Sequence, residues 1–445
     1  MVSKPKEYSW MTKNKLMVYT LIALVILAVI SITLWCPVTQ SGWSLGLTVA
    51  IACIISVGVA VALDYLLSLI MKSKGPVNTM SAAVFGMIVA LSYSFGIPGT
   101  ARSELSPLTA PEAFVYVAVI AAVGIIIFKK LQSLLGRKYV NSAAAAKLLV
   151  LLPFVYDILL PRAHARTALT APLTYEGTNS FASFLQSCYG DPVLVSQGAY
   201  TLPPSPADLF STLLLTKYHG WPGGASSIAV IIVGIGLFLV ARKYIKWRIT
   251  LSYLATVTVM SLILTAVYGG DALLRLGFHL FIGSSIFLAF FMATDPTTTP
   301  LTYFGQGIFG LGLGIITVLI QTYMNFLGGS FVALLIMNLT SPLLDKVGLL
   351  KPTEAKRELK LPKAQQFETI KTTQCIRCGA CIVFCCHNLS PIQIKEAFDN
   401  ENMEMIRKLR ADLCDGCGHC SYVCPARIDL RSFTLRAKAS LRTGK

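Results

Sequence analysis

The sequence predicts an all-α polytopic membrane protein of about ten transmembrane helices, in two five-helix halves, followed by a small soluble α+β domain at the C-terminal end. Three observations predict it. Of 445 residues, 54% are hydrophobic and only 13% charged, with mean hydropathy +0.66, which leaves too little charge to cover a soluble surface of that size. Apolar stretches long enough to cross a bilayer recur along the first 348 residues. Nine of the twelve cysteines then crowd into the segment after Gln374, which is rich in Lys and Arg.

The apolar stretches lie near 17–36, 45–70, 79–96, 113–128, 141–160, 225–241, 249–267, 276–293, 304–323 and 327–344. Crossing roughly 30 Å of hydrocarbon takes about 20 residues at 1.5 Å each, and most of them meet that length. The first follows a basic lead and runs apolar from Val18 to Leu34 with no small-residue cleavage pattern after it, so it reads as a retained helix. With the N-terminus inside, the inner segments 1–16, 71–78, 129–138, 242–248 and 294–303 carry 14 Lys and Arg (4, 2, 4, 4 and 0), against five outside. Those five are Arg102, Arg162, Arg166, Lys217 and Arg275. The excess of cations on cytoplasmic loops sets this orientation, and an even number of crossings returns the tail to the cytoplasm. The formal charge of +17 is explained by the same loops, and no nucleic-acid partner is predicted.

The long outer segment 161–224 divides the spans five and five, so the second half is inverted relative to the first. "MSAAVFGMIVALSYSFGIPG" in the third span echoes "GSSIFLAFFMATDPTTTP" in the eighth, each a small-residue helix broken near a proline. Inverted repeats place ligand sites between halves, although small residues also serve plain helix packing.

The tail carries Cys375-x2-Cys378-x2-Cys381-x3-Cys385 and then Cys414-x2-Cys417-x2-Cys420-x3-Cys424-Pro425. This spacing is that of two-cluster ferredoxins: three cysteines of each run hold one cubane and the fourth reaches across to the other. Cys375, Cys378, Cys381 and Cys424 are therefore assigned to one [4Fe-4S] cluster, and Cys414, Cys417, Cys420 and Cys385 to the second. Zinc leaves the third and fourth cysteine of each run unexplained. Where a proline is expected after Cys385 there is Cys386, so either thiol is a ligand candidate; the x3 spacing favours Cys385 and leaves Cys386 a spare thiol. Reduced cysteines so concentrated fit the cytosol better than a disulfide framework.

Residues 15–348 resemble the D subunit of the Rnf ferredoxin:NAD electron-transport complex and the related B subunit of the sodium-pumping NADH:quinone reductase (the RnfD/NqrB family). The stretches that carry the resemblance are "WRITLSYL" (247–254), "FFMATDPTTTP" (290–300), "FGQGIFGLGLGIITVLIQ" (304–321) and "FVALLIMNLTSPLLD" (331–345). The tail is similar to the end of the Rnf C subunit in "CIRCGACIVFC" and "CSYVCPARIDL", without that subunit's nucleotide-binding parts. The resemblance implies a D-type membrane domain over 1–348, a linker over 349–370 and a C-type two-cluster module over 371–445. It also implies FMN on a threonine of the outer side. "VSQGAYTLPPSPADLF" (195–210) points to Thr201, with Tyr200 interposed in the motif, and "ALTAPLT" offers Thr170 as a rival. A second flavin is implied near Thr294, Asp295 and Thr297 in "TDPTTTP", which reads equally as a helix C-cap and turn.

Asp64, Lys147 and Asp157 fall in predicted spans, where ionisable groups are costly and suggest function, unless they snorkel from span ends. His164, His219 and His279 form no helical ligand pair, so a bis-His haem is not expected. The tail, with 17 Lys and Arg against 10 Asp and Glu over 349–445, suits an acidic ferredoxin or flavodoxin, or anionic headgroups. The expected function is electron transfer between cytosolic clusters and flavin in the membrane domain, alongside other membrane subunits, a soluble carrier or reductase, and a quinone. Two rivals are a transporter with a redox-sensing tail, which needs a line of paired ionisable groups, and a plain membrane anchor for a ferredoxin, which bound flavin would exclude.

Overall fold

In a computed structural model, residues 11–40, 42–70, 79–94, 111–132, 138–152, 213–215, 220–282, 285–324, 326, 328–348 and 372–443 are described. Helices occupy all ten predicted apolar stretches. They are α1 Lys13–Trp35, α2 Leu45–Ile70, α3 Thr79–Leu91, α4 Glu112–Leu131, α5 Ser142–Val150, α6 Ser227–Ala241, α7 Trp247–Tyr268, a bent α8, α9 Tyr303–Tyr323 and α10 Gly329–Gly348. Six of them, α1, α2, α4, α7, α9 and α10, are long and apolar enough to cross a membrane, and the protein is polytopic. Helices α3, α5 and α6, with 13, 9 and 15 described residues, reach only about 14–23 Å at 1.5 Å per residue.

The eighth stretch is not one rod. Ala272–Phe281 and Ser285–Met292 meet at 59°, and each ends in a π-helical turn, Phe278–Ile282 and Leu288–Met292. With this pair counted as one span the crossing helices number up to seven. Discontinuous helices of this kind free backbone groups inside the protein, where ligands can use them.

Small residues set the helix contacts, as expected where lipid is as apolar as leucine. Gly310 and Gly314 lie one turn apart on α9, and a Cβ on either would come within 2.7 Å of Ile249 O, Ser252 or Thr256 on α7. Each half also has a hydroxyl-to-carbonyl bond of the same kind. Ser56 Oγ of α2 donates to Gly86 O of α3 (2.8 Å), and Thr250 Oγ1 of α7 donates to Ala289 O of α8 (2.6 Å), within the two stretches that echo each other in sequence.

The cysteine-rich tail folds as short helices: α11 Ala380–Val383, α12 Pro391–Asp399, α13 Met403–Lys408, α14 His419–Tyr422 and α15 Leu430–Thr443. The strands expected beside them do not occur among the described residues 372–443. One backbone bond, Thr373 N to Ala426 O (2.9 Å), joins the start of the first cysteine run to the end of the second, and N–H groups of the cysteine loops turn toward sulfur: Arg377 N to Cys375 Sγ (3.3 Å) and Leu389 N to Cys385 Sγ (3.3 Å).

The tail sits against the membrane helices. Lys13 N, an orphan donor of the first turn of α1, bonds Pro425 O at 3.0 Å, and Met11 and Leu16 pack with Ile376, Ala380, Phe384 and Val423. Lys13, Lys129, Lys138, Ile245 and Thr294 all line one cavity beside the tail. They come from four of the five segments predicted as inner; the fifth, 71–78, lies outside the described residues.

Candidate functional site

Each cysteine run is bent by the same backbone device. Arg377 and Gly416, the third residues of the two runs, have φ of 52° and 79°; Gly379 and Gly418, after each second cysteine, have φ of 79° and 84°. Asn388 and Arg427, three residues beyond each fourth cysteine, have φ of 54°. Left-handed conformations at matched places fold both runs into the same loop, and at Gly379 and Gly418 the missing Cβ makes that conformation unstrained.

The loops bring the thiols together in two groups. Cys375, Cys378, Cys381 and Cys424 line one cavity with about 330 Å³ of unfilled space. Cys385, Cys414, Cys417 and Cys420 line another with about 350 Å³. In each, the fourth cysteine of one run crosses to the other run's three. The crossing residues are held alike: Leu389 N donates to Cys385 Sγ at 3.3 Å and Ile428 N to Cys424 Sγ at 3.5 Å, both four residues on.

Burial pushes the thiols of Cys378, Cys417 and Cys420 up to about 12 and that of Cys424 up to about 11. Thiols buried around a small cavity, as Cys381, Cys420 and Cys424 are, become thiolates only if a cation replaces the lost water, which is what the irons of a cubane supply. The residues therefore fit an iron–sulfur cluster in each cavity.

Cys386 does not line the second cavity. Its Sγ lies 3.0 Å from His419 Nδ1 and 3.9 Å from Cys417 Sγ, and these three residues form a group compact enough to hold a metal ion. Sequence reasoning passed over His419 because it lies 33 residues from Cys386 with no spacing signal.

Thr294, Asp295 and Thr297 line an opening beside the tail, with about 1540 Å³ of space open to solvent. Tyr244, Phe290 and Phe291 supply aromatic faces there, Lys13, Lys129 and Lys138 supply positive charge, and Gln374 to Arg377 form the far wall. The threonines themselves bond locally: Thr294 Oγ1 to Phe290 O (2.7 Å), and Thr297 N and Oγ1 to Asp295 Oδ1 (3.0 and 2.8 Å). The turn and the cavity wall are thus one structure, and the lysines are the polar groups that sequence reasoning did not single out. Thr201 and Thr170, like Cys188, Asp157, His164 and His219, lie outside the described residues.

The tail is fixed to this wall by buried polar contacts. Arg377 Nη2 pairs with Asp345 Oδ2 at 3.3 Å, the side chains 8% and 5% exposed, while Asp345 Oδ1 accepts Leu301 N at 2.7 Å. Arg377 Nη1 also pairs with Glu396. Beside them Lys246 Nζ donates to Pro296 O, Thr299 O and Thr299 Oγ1 at 2.8–3.0 Å, and burial brings its pKa down to about 7. Asp345 lies in the last turn of α10 and was passed over in sequence, because the predicted span stops at 344, one residue short of it.

Asp64 is buried and pairs with Lys129 (3.5 Å) and Lys130 (3.1 Å). Lys147 does not snorkel: it is buried, bonds the Ser92 carbonyl and lies 4.3 Å over the Trp221 ring. His279 is bonded to Gln321 Oε1 (2.9 Å) and faces Thr322.

Comparison with known proteins accounts for the membrane part. The chain is similar to the D subunit of the Na(+)-translocating ferredoxin:NAD(+) oxidoreductase complex of Acetobacterium woodii, 30% identical over 304 residues that cover 68% of this chain and 80% of that one. It is 38% identical over 141 residues to the proton-translocating counterpart of Clostridium ljungdahlii, covering 31% and 41% of the two chains. With the D subunit of the ion-translocating oxidoreductase complex of Stutzerimonas stutzeri it shares 30% over 239 residues, 49% and 64% of the two. The last two matches span less than two thirds of those relatives. The model of one family matches residues 2–353 and stops short of the nine tail cysteines, so on the helices that it covers the chain belongs to the NQR2, RnfD, RnfE family.

Proposed function

We propose that the chain is the membrane electron-transfer subunit of an Rnf-like, ion-translocating oxidoreductase complex, with a D-type membrane domain (1–348), a linker (349–370) and a two-cluster ferredoxin module (371–445). Cys375, Cys378, Cys381 and Cys424 would hold one [4Fe-4S] cluster; Cys414, Cys417, Cys420 and Cys385 would hold the other. A flavin would sit against Thr294, Asp295 and Thr297, and FMN on Thr201, or on Thr170, would extend the path to the other side. Bound there, these groups supply one-electron transfer that no side chain of the protein provides.

The observation that carries the reading is a shared wall. Cys375, Ile376 and Arg377 line both the first four-cysteine cavity and the opening that contains Thr294 to Thr297. A cluster in the one and a flavin in the other would be separated by little more than this loop. The chain's own residues do the positioning. The Asp345–Arg377 pair holds the loop to α10, Phe290, Phe291 and Tyr244 offer faces for a planar ring, and Lys13, Lys129 and Lys138 offer charge to a phosphate.

The start of α1 and the end of α10 meet the tail on one side, which supports a cytoplasmic N-terminus and tail in a multi-pass protein of the cytoplasmic membrane. Partners on this reading are other membrane subunits, with a soluble ferredoxin, flavodoxin or reductase at the cysteine module and a quinone or partner subunit beyond.

Anaerobic reduction by a low-potential ferredoxin tests the function. The bound flavin should bleach in the full chain and should bleach far more slowly in Cys375→Ala. Bleaching at the same rate in both, or no flavin in the purified protein, would contradict the reading.

A further inference from the structure

A second cleft lies on the other side of the cysteine loop. It is lined by Arg242, Lys243, Lys246 and Arg248 from the α6–α7 connection and by Trp247 and Tyr303, and it is closed by Cys378, Gly379 and Phe384 of the tail. About 1160 Å³ of space lies between them, open to solvent. The Lys246 ammonium is already satisfied by Thr299 and Pro296, but Arg242, Lys243 and Arg248 make no ion pair among the described residues. Aromatic faces hold them instead: Arg248 lies 3.5 Å over Tyr303 and 5.2 Å over Trp247, Arg242 5.9 Å over Trp247 and Lys243 5.1 Å over Phe384. A guanidinium stacked on a ring keeps its in-plane N–H groups free for an anion with several oxygens.

A separate observation says which anion. Leu239, three residues before Arg242, which caps the end of α6 with helical backbone angles, is 72% exposed, and Leu251, three residues after Arg248 on α7, is 60% exposed. Residues three apart on a helix share a face, so each arginine stands directly above an outward-facing leucine, and Phe304 beside Tyr303 is exposed as well. Cations at the level where the spans end, with apolar side chains running down from them into the bilayer, match a lipid's phosphate and its acyl chains. A soluble phosphate compound would use the cations and leave the leucines unmatched.

We propose that this cleft binds the headgroup of one anionic glycerophospholipid, which bridges the α6–α7 connection and the first cysteine loop and so fastens the cysteine module to the membrane surface. The proposal rests on the placement of the tail and not on which groups the cysteines hold. Native mass spectrometry of the full chain in detergent, with phosphatidylglycerol, phosphatidylcholine or inorganic phosphate added, tests it. Phosphatidylglycerol should be retained in preference to phosphatidylcholine, and R242Q/K243Q/R248Q should weaken retention on the order of 100-fold, as three juxtamembrane cations imply. The control R407Q/K408Q/R436Q removes the same charge elsewhere and should change nothing. Arg242→Glu, at an exposed position, should act alone in the same direction if the triple variant does not fold. Equal retention of phosphatidylglycerol in the cleft variants, equal binding of phosphatidylcholine, or displacement of the lipid by inorganic phosphate would each overturn the proposal.

Discussion

Replacing Asp345 with Asn tests how the cysteine module is seated. Asn keeps an acceptor for Leu301 N but removes the charge that faces Arg377 at 3.3 Å, where both side chains are less than a tenth exposed. Breaking a buried pair by removing one partner costs about 3–5 kcal/mol, because the other charge stays desolvated. Arg377 retains Glu396, whose side chain is 43% exposed, so the lower figure of ~3 kcal/mol applies here. At about 1.4 kcal/mol per factor of ten, that raises the undocked population on the order of 100-fold. Lys13 N reports it directly, since its bond to Pro425 O crosses the junction and the first turn of a helix gives it no other partner. Amide exchange at Lys13 should accelerate by about that factor in Asp345→Asn, with iron content unchanged, and Asp345→Ala should go further by orphaning Leu301 N. Unaltered exchange at Lys13 in a folded Asp345→Asn protein would refute the reasoning.

Two pairs of substitutions separate alternatives that the sequence leaves open. Cys385→Ser should remove one cluster, read as the loss of about half the iron and sulfide, while Cys386→Ser should remove none; the reverse result would exchange the ligand for its neighbour. Flavin fluorescence should travel with the denatured chain on a gel, vanish in Thr201→Ala and persist in Thr170→Ala. Loss only in the Thr170 variant would move the attachment, and no fluorescence in the parent chain would remove the outward half of the path.

Much of this was legible because the signals are local. Apolar length marked every membrane helix, and the x2, x2, x3 spacing foretold both thiol groups, including the crossing of Cys385 and Cys424 that the cavities display. The same spacing led to the expectation of strands that do not occur among the described residues of the tail: cysteine loops that turn N–H groups toward sulfur read as ferredoxin spacing whether or not strands flank them. The seating was not legible, because Asp345 and Arg377 are 32 residues apart and Lys13 and Pro425 more than 400, with no periodicity to join them. The break in α8 coincides in sequence with Gly283-Ser284-Ser285, small residues that within an apolar stretch read equally as close helix packing, so 276–293 reads as one span. The lysines facing Thr294 to Thr297 come from two separate inner segments, 1–16 and 129–138, each of which reads alone as an ordinary basic cytoplasmic stretch.

The central claim is that the two four-cysteine cavities hold cubanes, and the most direct measurement is iron and acid-labile sulfide per chain in anaerobically purified protein, with electron paramagnetic resonance after dithionite. The account predicts about eight of each and the spectrum of reduced [4Fe-4S] clusters. Stoichiometric zinc without sulfide would contradict it.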